Sequence, residues 1–238
     1  MALAVSLRSA VCLLDRYPAL AGVDVDIAPG EIVLCSGANG AGKTTLLRLL
    51  AGLVPLAGGT GEVLGFDLAR ERGALRRHVG LLGHDTGCYD DLTVAENLHF
   101  AATAAGRARR DVAAAAADAL GRTGLTARAS VRHGRLSAGQ RRRLALAATL
   151  VRDPRLLLLD EPHAGLDDDG RAALDAIVAA APMEDRTVVL VSHELERARA
   201  LSGREITLVT GQADARRTEG TGTEAPVPAP GDLVATPT

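Results

Sequence analysis

Gly37-Ala-Asn-Gly-Ala-Gly-Lys-Thr44 lies between the apolar run Glu31-Ile-Val-Leu-Cys-Ser36 and the segment Thr44-Thr-Leu-Leu-Arg-Leu-Leu-Ala51. It fits the phosphate-binding pattern G-x-x-x-x-G-K-[ST] at every specified position. The apolar run predicts a buried strand, and the segment from Thr44 predicts a helix that stops at Gly52. Between them, glycines at 37, 40 and 42 permit a tight loop whose N–H groups converge on phosphate oxygens. The helix then turns the positive end of its dipole toward the same point. Strand, loop and helix in this order predict binding of a nucleoside triphosphate.

Working outward, the basic residues sharpen this reading. Of 27 basic residues only Lys43 is lysine. An ammonium is a compact charge on a thin stem and enters a narrow backbone cradle, whereas a planar guanidinium does not. The expected nucleotide-binding set is therefore Gly37, Ala38, Asn39, Gly40, Ala41, Gly42, Lys43, Thr44 and Thr45. Thr44 would offer its hydroxyl to Mg²⁺ bound with ATP.

Composition sets outer limits. At 238 residues the chain holds one large domain or two small ones. A net charge of −2 excludes a protein built around a basic, nucleic-acid-binding surface. On this reading Arg141-Arg142-Arg143 forms a solvated helix face. The three cysteines, Cys12, Cys35 and Cys88, are widely spaced with no C-x-x-C pair, which predicts reduced thiols packed as small apolar residues. No apolar run reaches the roughly 18 residues of a membrane span, and the N-terminus lacks a signal-peptide layout.

Along the chain, Ala4–Leu14 and Val23–Ile27 read as strands, with a turn at Pro29-Gly30. The stretch from Gly58 to Gly65 reads as turn and strand. Residues 93–127 read as helices opened by the capping box Thr93-Val-Ala-Glu96. Then follow helix 140–151, strand Leu156–Asp160, helix 170–181 and strand Thr187–Val191, an alternation that implies a mainly parallel sheet covered on both faces. Residues 212–238 lack periodicity and predict a disordered tail.

Four more elements follow in fixed order: Leu136-Ser-Ala-Gly-Gln140 at a helix start, Asp160-Glu161 ending an apolar strand, Ala164-Gly-Leu-Asp167, and Ser192-His193 after the next strand. Together with the phosphate loop, this set resembles the ATP-binding subunits of ABC transporters over roughly residues 3–210. The resemblance implies an α/β P-loop cassette with a mainly parallel core sheet, an N-terminal antiparallel β subdomain and an inserted α-helical subdomain. It implies an ATP-binding domain over 1–211, with the helical part at about 86–150.

The same resemblance implies roles. Asp160 joins Thr44 in holding Mg²⁺, Glu161 polarises the attacking water, and His193 orients that water against the γ-phosphate. Ser137, Ala138, Gly139 and Gln140 cover the ATP of a second subunit, and Asp167 crosses the dimer interface. Ala138 stands where the family usually has glycine. Tyr17 occupies about the place where the family stacks an aromatic on adenine, with a packed core ring as the alternative. His84, followed by Asp85, takes the place of the glutamine that touches Mg²⁺ and couples to the membrane subunit; imidazole is a poor Mg²⁺ ligand, so Asp85 takes the role or the contact is weaker.

Leu81-Leu-Gly-His84, Leu92-Thr-Val-Ala-Glu-Asn-Leu98, Arg135-Leu-Ser-Ala-Gly-Gln-Arg-Arg142 and Asp160-Glu-Pro-His-Ala-Gly-Leu-Asp167 look like the haem-exporter ATPases of cytochrome c maturation. That implies transport-coupled ATP hydrolysis by a homodimer docked on integral membrane subunits at the cytoplasmic face of the membrane, without nucleic acid. The competing readings are an exporter ATPase for a drug, lipid or peptide, the soluble cassette of iron–sulfur cluster assembly, and a non-hydrolysing nucleotide-dependent regulator.

Overall fold

The computed structural model describes residues 2–14, 16–83 and 87–216. Strands β1 (Val5–Leu14) and β2 (Tyr17–Ile27) pair antiparallel from Val5 opposite Ile27 to Leu14 opposite Tyr17. The second strand thus begins six residues before the predicted Val23. Pro18 is accommodated because β2 is an edge strand, where a missing N–H costs no ladder bond. β3 (Ile32–Gly37) leads into the phosphate loop and helix α1 (Lys43–Leu50). β4 (Gly58–Val63) and β5 (Phe66–Asp67) complete a four-stranded antiparallel sheet in the order β2-β1-β4-β5.

A short helix α2 (Arg72–Leu75) precedes β6 (Val79–Leu82). Three longer helices follow: α3 (Val94–Ala104), α4 (Arg109–Arg122) and α5 (Ala138–Leu150). Thr93 and Glu96 form the expected capping box at α3, and Ser137 and Gln140 form a second at α5. That second box starts α5 two residues before the predicted 140. The chain then alternates through β7 (Leu156–Asp160), α6 (Asp168–Ala180), β8 (Thr187–Val191), α7 (Leu195–Leu201) and β9 (Arg204–Val209). β10 (Gln212–Arg216) pairs antiparallel with β9, so β structure runs past the boundary placed at 211. Residues 217–238, the rest of the predicted tail, lie outside the described residues.

The main sheet has the order β10-β9-β3-β8-β7-β6, and every pair except β9–β10 is parallel. β3, β6, β7 and β8 therefore end at one edge, which is where a parallel sheet presents ligand-binding loops. β7 and β8 read as unbroken apolar runs because both faces are covered. Leu156, Leu158, Val189 and Val191 pack with α1 and the antiparallel sheet, whereas Leu157, Leu159, Val188 and Leu190 pack with α5, α6 and α7.

A third core lies among α3, α4 and α5, and α5 contributes to two of them. Ala145, Leu146 and Leu150 face the sheet while Leu144, Ala147 and Val151 face α3 and α4. One flank of the helical layer is also tied to the sheet by alternating charges. Arg107 reaches Asp153 at 3.3 Å, Asp153 meets Arg186 at 2.7 Å, Arg186 meets Glu184 at 2.8 Å, and Glu184 meets Arg122 at 3.2 Å.

Leu158 is fully buried at the centre of the sheet. Leu158→Ala is expected to lower unfolding free energy by about 3 kcal/mol, the middle of the range for such a truncation. Urea denaturation followed by far-UV circular dichroism measures it, and a loss below about 1 kcal/mol would show that the sheet closes over the gap.

Candidate functional site

The phosphate loop is shaped by close backbone approaches. Gly37 has φ +140°, and a Cβ there would sit 2.4 Å from the carbonyl oxygen of Leu208 on β9. Gly42 has φ +100°, and its Cβ would sit 2.4 Å from the carbonyl oxygen of Ala19 on β2. Any side chain at either position strains the backbone and displaces a neighbouring strand. Gly42 is also the N-cap of α1, where no side chain caps the helix and no acidic residue occupies the first turn. The helix start is thus left to an anionic ligand.

Lys43 Nζ donates to the carbonyls of Gly37 (2.7 Å) and Ala38 (2.9 Å), which hold it across the loop. Thr44 Oγ1 donates to Asp160 Oδ2 at 2.8 Å, joining the start of α1 to the end of β7. Glu161 follows in the left-handed region at φ +47°. Its Oε2 accepts the backbone N–H of His193 at 3.0 Å, and its buried Oε1 lies 3.4 Å from His193 Nε2 without a hydrogen bond. Lys43, Thr44, Thr45, Asp160, Glu161 and His193 line one cleft of about 480 Å³, with Asn39, Gly40 and Gly42 on its wall.

This donor set suits magnesium. The Thr44 hydroxyl and the Asp160 carboxylate are hard oxygen ligands that face the cleft together. Mg²⁺ commonly takes one or two such protein ligands and completes its shell with phosphate and water.

Ser137, Ala138, Gly139 and Gln140 do not line this cleft. The Ser137 hydroxyl accepts the Gln140 N–H at 3.2 Å, and the Gln140 side chain accepts the Ser137 N–H at 3.1 Å. Both polar groups thereby shape the start of α5. Asp167 caps α6 through the N–H of Gly170 (3.1 Å) and pairs with Arg143. Tyr17 is 81% exposed at the start of β2, so it is not a packed core ring; it is not among the residues lining the cleft, although Leu14 and Ala19 are. His84 and Asp85 lie outside the described residues.

The arginine triplet departs from the expected solvated face. Arg141 donates to the carbonyls of Leu136 and Gly134, each at 3.1 Å. Arg142 donates to the carbonyls of Gly83, Asp160 (3.0 Å) and Glu161 (2.9 Å). Arg143, only 12% exposed, holds Asp167. α5 is packed on two sides, so these stems run along covered surface; the heads of Arg141 and Arg142 reach backbone carbonyls, and that of Arg143 reaches a carboxylate.

Sequence reasoning also missed His163, which is 2% exposed with Nε2 2.8 Å from Asp175 Oδ1. Burial opposes ionisation of Asp175, but hydrogen bonds from Arg197 and His163 outweigh it and hold the carboxyl below its usual range. The Arg171–Glu194 pair (3.0 Å) anchors the residue after His193 to α6. In one dimension, alternate charges on two helices give no sign of this bracing. Cys12 and Cys35 are buried and Cys88 is partly buried, and burial pushes the Cys35 thiol up to about 12 and the Cys88 thiol up to about 11.

A model of the ABC transporter family matches residues 20–164. The chain is 34% identical to the ABC transporter ATP-binding protein NatA of Bacillus subtilis, over 82% of this chain and 79% of that protein. It is 40% identical to the cytochrome c biogenesis ATP-binding export protein CcmA of Bordetella bronchiseptica, over 79% of this chain and 83% of that protein. Its fold matches a dimeric post-hydrolysis structure of the ATP-binding cassette MJ0796 bound to ADP and phosphate, with a TM-score of 0.80 and 24% identity. That match covers 90% of this chain and 99% of the other. With the phosphate loop, the Thr44–Asp160 pair and the sheet order all in place, the chain belongs to the ABC transporter family, as its ATP-binding cassette.

Proposed function

We propose that two copies of this chain bind Mg-ATP between them and hydrolyse it to drive export through integral membrane subunits, with haem for cytochrome c maturation as the cargo. The observation that carries the ATPase reading is the convergence of Lys43, Thr44, Asp160, Glu161 and His193 on one cleft. Lys43 and the loop N–H groups would stabilise charge on the transferred phosphoryl group. Mg²⁺, held by Thr44 and Asp160, would neutralise β- and γ-phosphate charge. Glu161 Oε1 would accept a hydrogen bond from the attacking water and align it, while His193 steadies that carboxylate.

The dimer is supported by what the cleft lacks. Its described lining includes none of Ser137–Gln140, and those residues begin a helix that a second copy could turn toward the γ-phosphate. A partner in the membrane is supported by a groove of about 430 Å³ between β6, α3 and α5. Phe100 lines it, half exposed, and packs edge-on against Tyr89 with ring centroids 5.1 Å apart. Among the described residues no helix is long and apolar enough to cross a membrane, so the spanning part would come from a partner.

The cargo rests on the CcmA relatives and on the Leu81–His84 and Asp160–Asp167 segments. The similarity to the ABC transporter ATP-binding protein NatA supports a second reading, transport of some other substrate. Purification of the tagged full chain from detergent-solubilised native membranes, with mass spectrometry and a Soret absorbance scan, separates these. Co-purifying multi-span proteins with haem support the proposal, and multi-span proteins without haem favour the second reading. Recovery of soluble iron–sulfur assembly proteins alone would overturn transport.

A further inference from the structure

Glu161 is a non-glycine residue in the left-handed region, a strained conformation that persists only where its surroundings hold it. Its polar backbone is fixed on every side. The Glu161 N–H donates to Val191 O at 2.9 Å, and Ala164 N–H donates to Glu161 O at 3.2 Å. The Arg142 guanidinium then donates to the carbonyls of both Asp160 and Glu161, so it grips the peptide planes before and after the Glu161 Cα. Those two planes set the direction in which the Glu161 carboxylate leaves the backbone.

The same guanidinium donates to the carbonyl of Gly83, at the end of β6 and next in sequence to His84. Its own backbone belongs to α5, five residues beyond Ser137. One side chain thus joins the end of the groove-lining strand, the helix that begins at Ser137, and the backbone of Glu161. Only arginine offers several N–H groups in a fixed fork that reaches three carbonyls. Burial holds the Arg142 guanidinium below its usual pKa, and the nearby Asp160 and Glu161 carboxylates oppose that shift without cancelling it.

We propose that Arg142 is a positioning residue for ATP hydrolysis: it holds the Glu161 backbone in its left-handed turn and links that turn to Gly83 and to the helix headed by Ser137. The proposal rests on the ATPase reading above and adds to it a residue outside the cleft lining.

The test uses the full chain and compares Arg142→Met, Arg142→Lys and Arg142→Gln. With the Glu161 carboxylate misdirected, Arg142→Met is expected to lower kcat roughly 10- to 100-fold, the scale of a small misplacement of a reacting group. KM for ATP should stay within about twofold, because Lys43 and the loop are untouched. Arg142→Lys should recover part of kcat, since an ammonium reaches one or two of the three carbonyls. Single-turnover phosphate release in the Glu161→Gln background supplies the second measurement. If Arg142 acts through Glu161, removing it there costs little more; multiplicative losses overturn the proposal. So does unchanged kcat in Arg142→Met, or a rise in KM that matches the loss. If Arg142→Met does not fold, Arg142→Lys and Arg142→Gln carry the same cycle. A parent chain inactive even with its membrane partners would overturn the ATPase reading instead.

Discussion

Glu161→Gln is expected to bind ATP with the affinity of the parent chain while phosphate release falls roughly 10²- to 10⁴-fold, the range for loss of a positioned general base. The substitution is isosteric. The amide oxygen can still accept the His193 N–H now held at 3.0 Å by the carboxylate. What disappears is the negative charge at Oε1, the buried oxygen with no hydrogen-bond partner among the described residues. A neutral amide can neither take a proton from water nor align its lone pair by charge. Lys43, Thr44 and the loop N–H groups are unchanged, so ground-state binding stays. Blocked after binding, the two subunits should accumulate as an ATP-held dimer, visible by light scattering on adding Mg-ATP. Rapid phosphate release by this variant would remove Glu161 from the chemical step.

Lys43→Met is expected to fail one step earlier. Among the described residues lining the cleft, Lys43 is the one permanent cation, and Asp160 and Glu161 face it. Without it, a triphosphate would enter a site of its own sign. Truncating one member of a desolvated, hydrogen-bonded charge pair costs roughly 2–5 kcal/mol, so ATP affinity should fall at least about 30-fold. Methionine keeps the length of the stem, so the carbonyls of Gly37 and Ala38 lose a donor with little change in packing. Titration with a fluorescent ATP analogue measures the effect, and affinity within threefold of the parent chain would contradict it. Together the variants separate binding from chemistry: one should hold nucleotide without turning it over, and the other should scarcely hold it.

How much of this could be read in advance differs from element to element. β7 and β8 were legible to the residue because both faces are buried, which leaves long apolar runs with sharp polar ends. The phosphate loop was legible because its geometry demands glycine, lysine and threonine at set spacing. β6 is four residues long at a sheet edge, and β9 mixes Arg204, Glu205 and Thr207 with its apolar positions, so neither carries a strong period. The start of α5 was placed late because Gly139 is a poor helix former, although Ser137 and Gln140 already spelled the cap.

Arg141-Arg142-Arg143 shows a different limit. Three adjacent cations look like a wetted surface unless the helix is known to be enclosed from two directions. Ser137 and Asp167 also carry local duties, capping α5 and α6, that coexist with the interface roles proposed for them. The bracing of the His193 segment by Asp175, Arg171 and Arg197 depends on two helices meeting, which no linear pattern announces.

The double allegiance of α5 bears on how such proteins can be recombined. Leu144, Ala147 and Val151 belong to the helical core, while Ala145, Leu146 and Leu150 belong to the sheet core. A chimera that exchanges only residues 94–136 would leave the first three of these against a foreign surface. One that exchanges α5 as well would import strangers beneath β7 and β8, and would replace Arg142 along with them. The helical layer is therefore not a detachable module, and a clean transplant must recut one face of α5 to the donor and keep the other native.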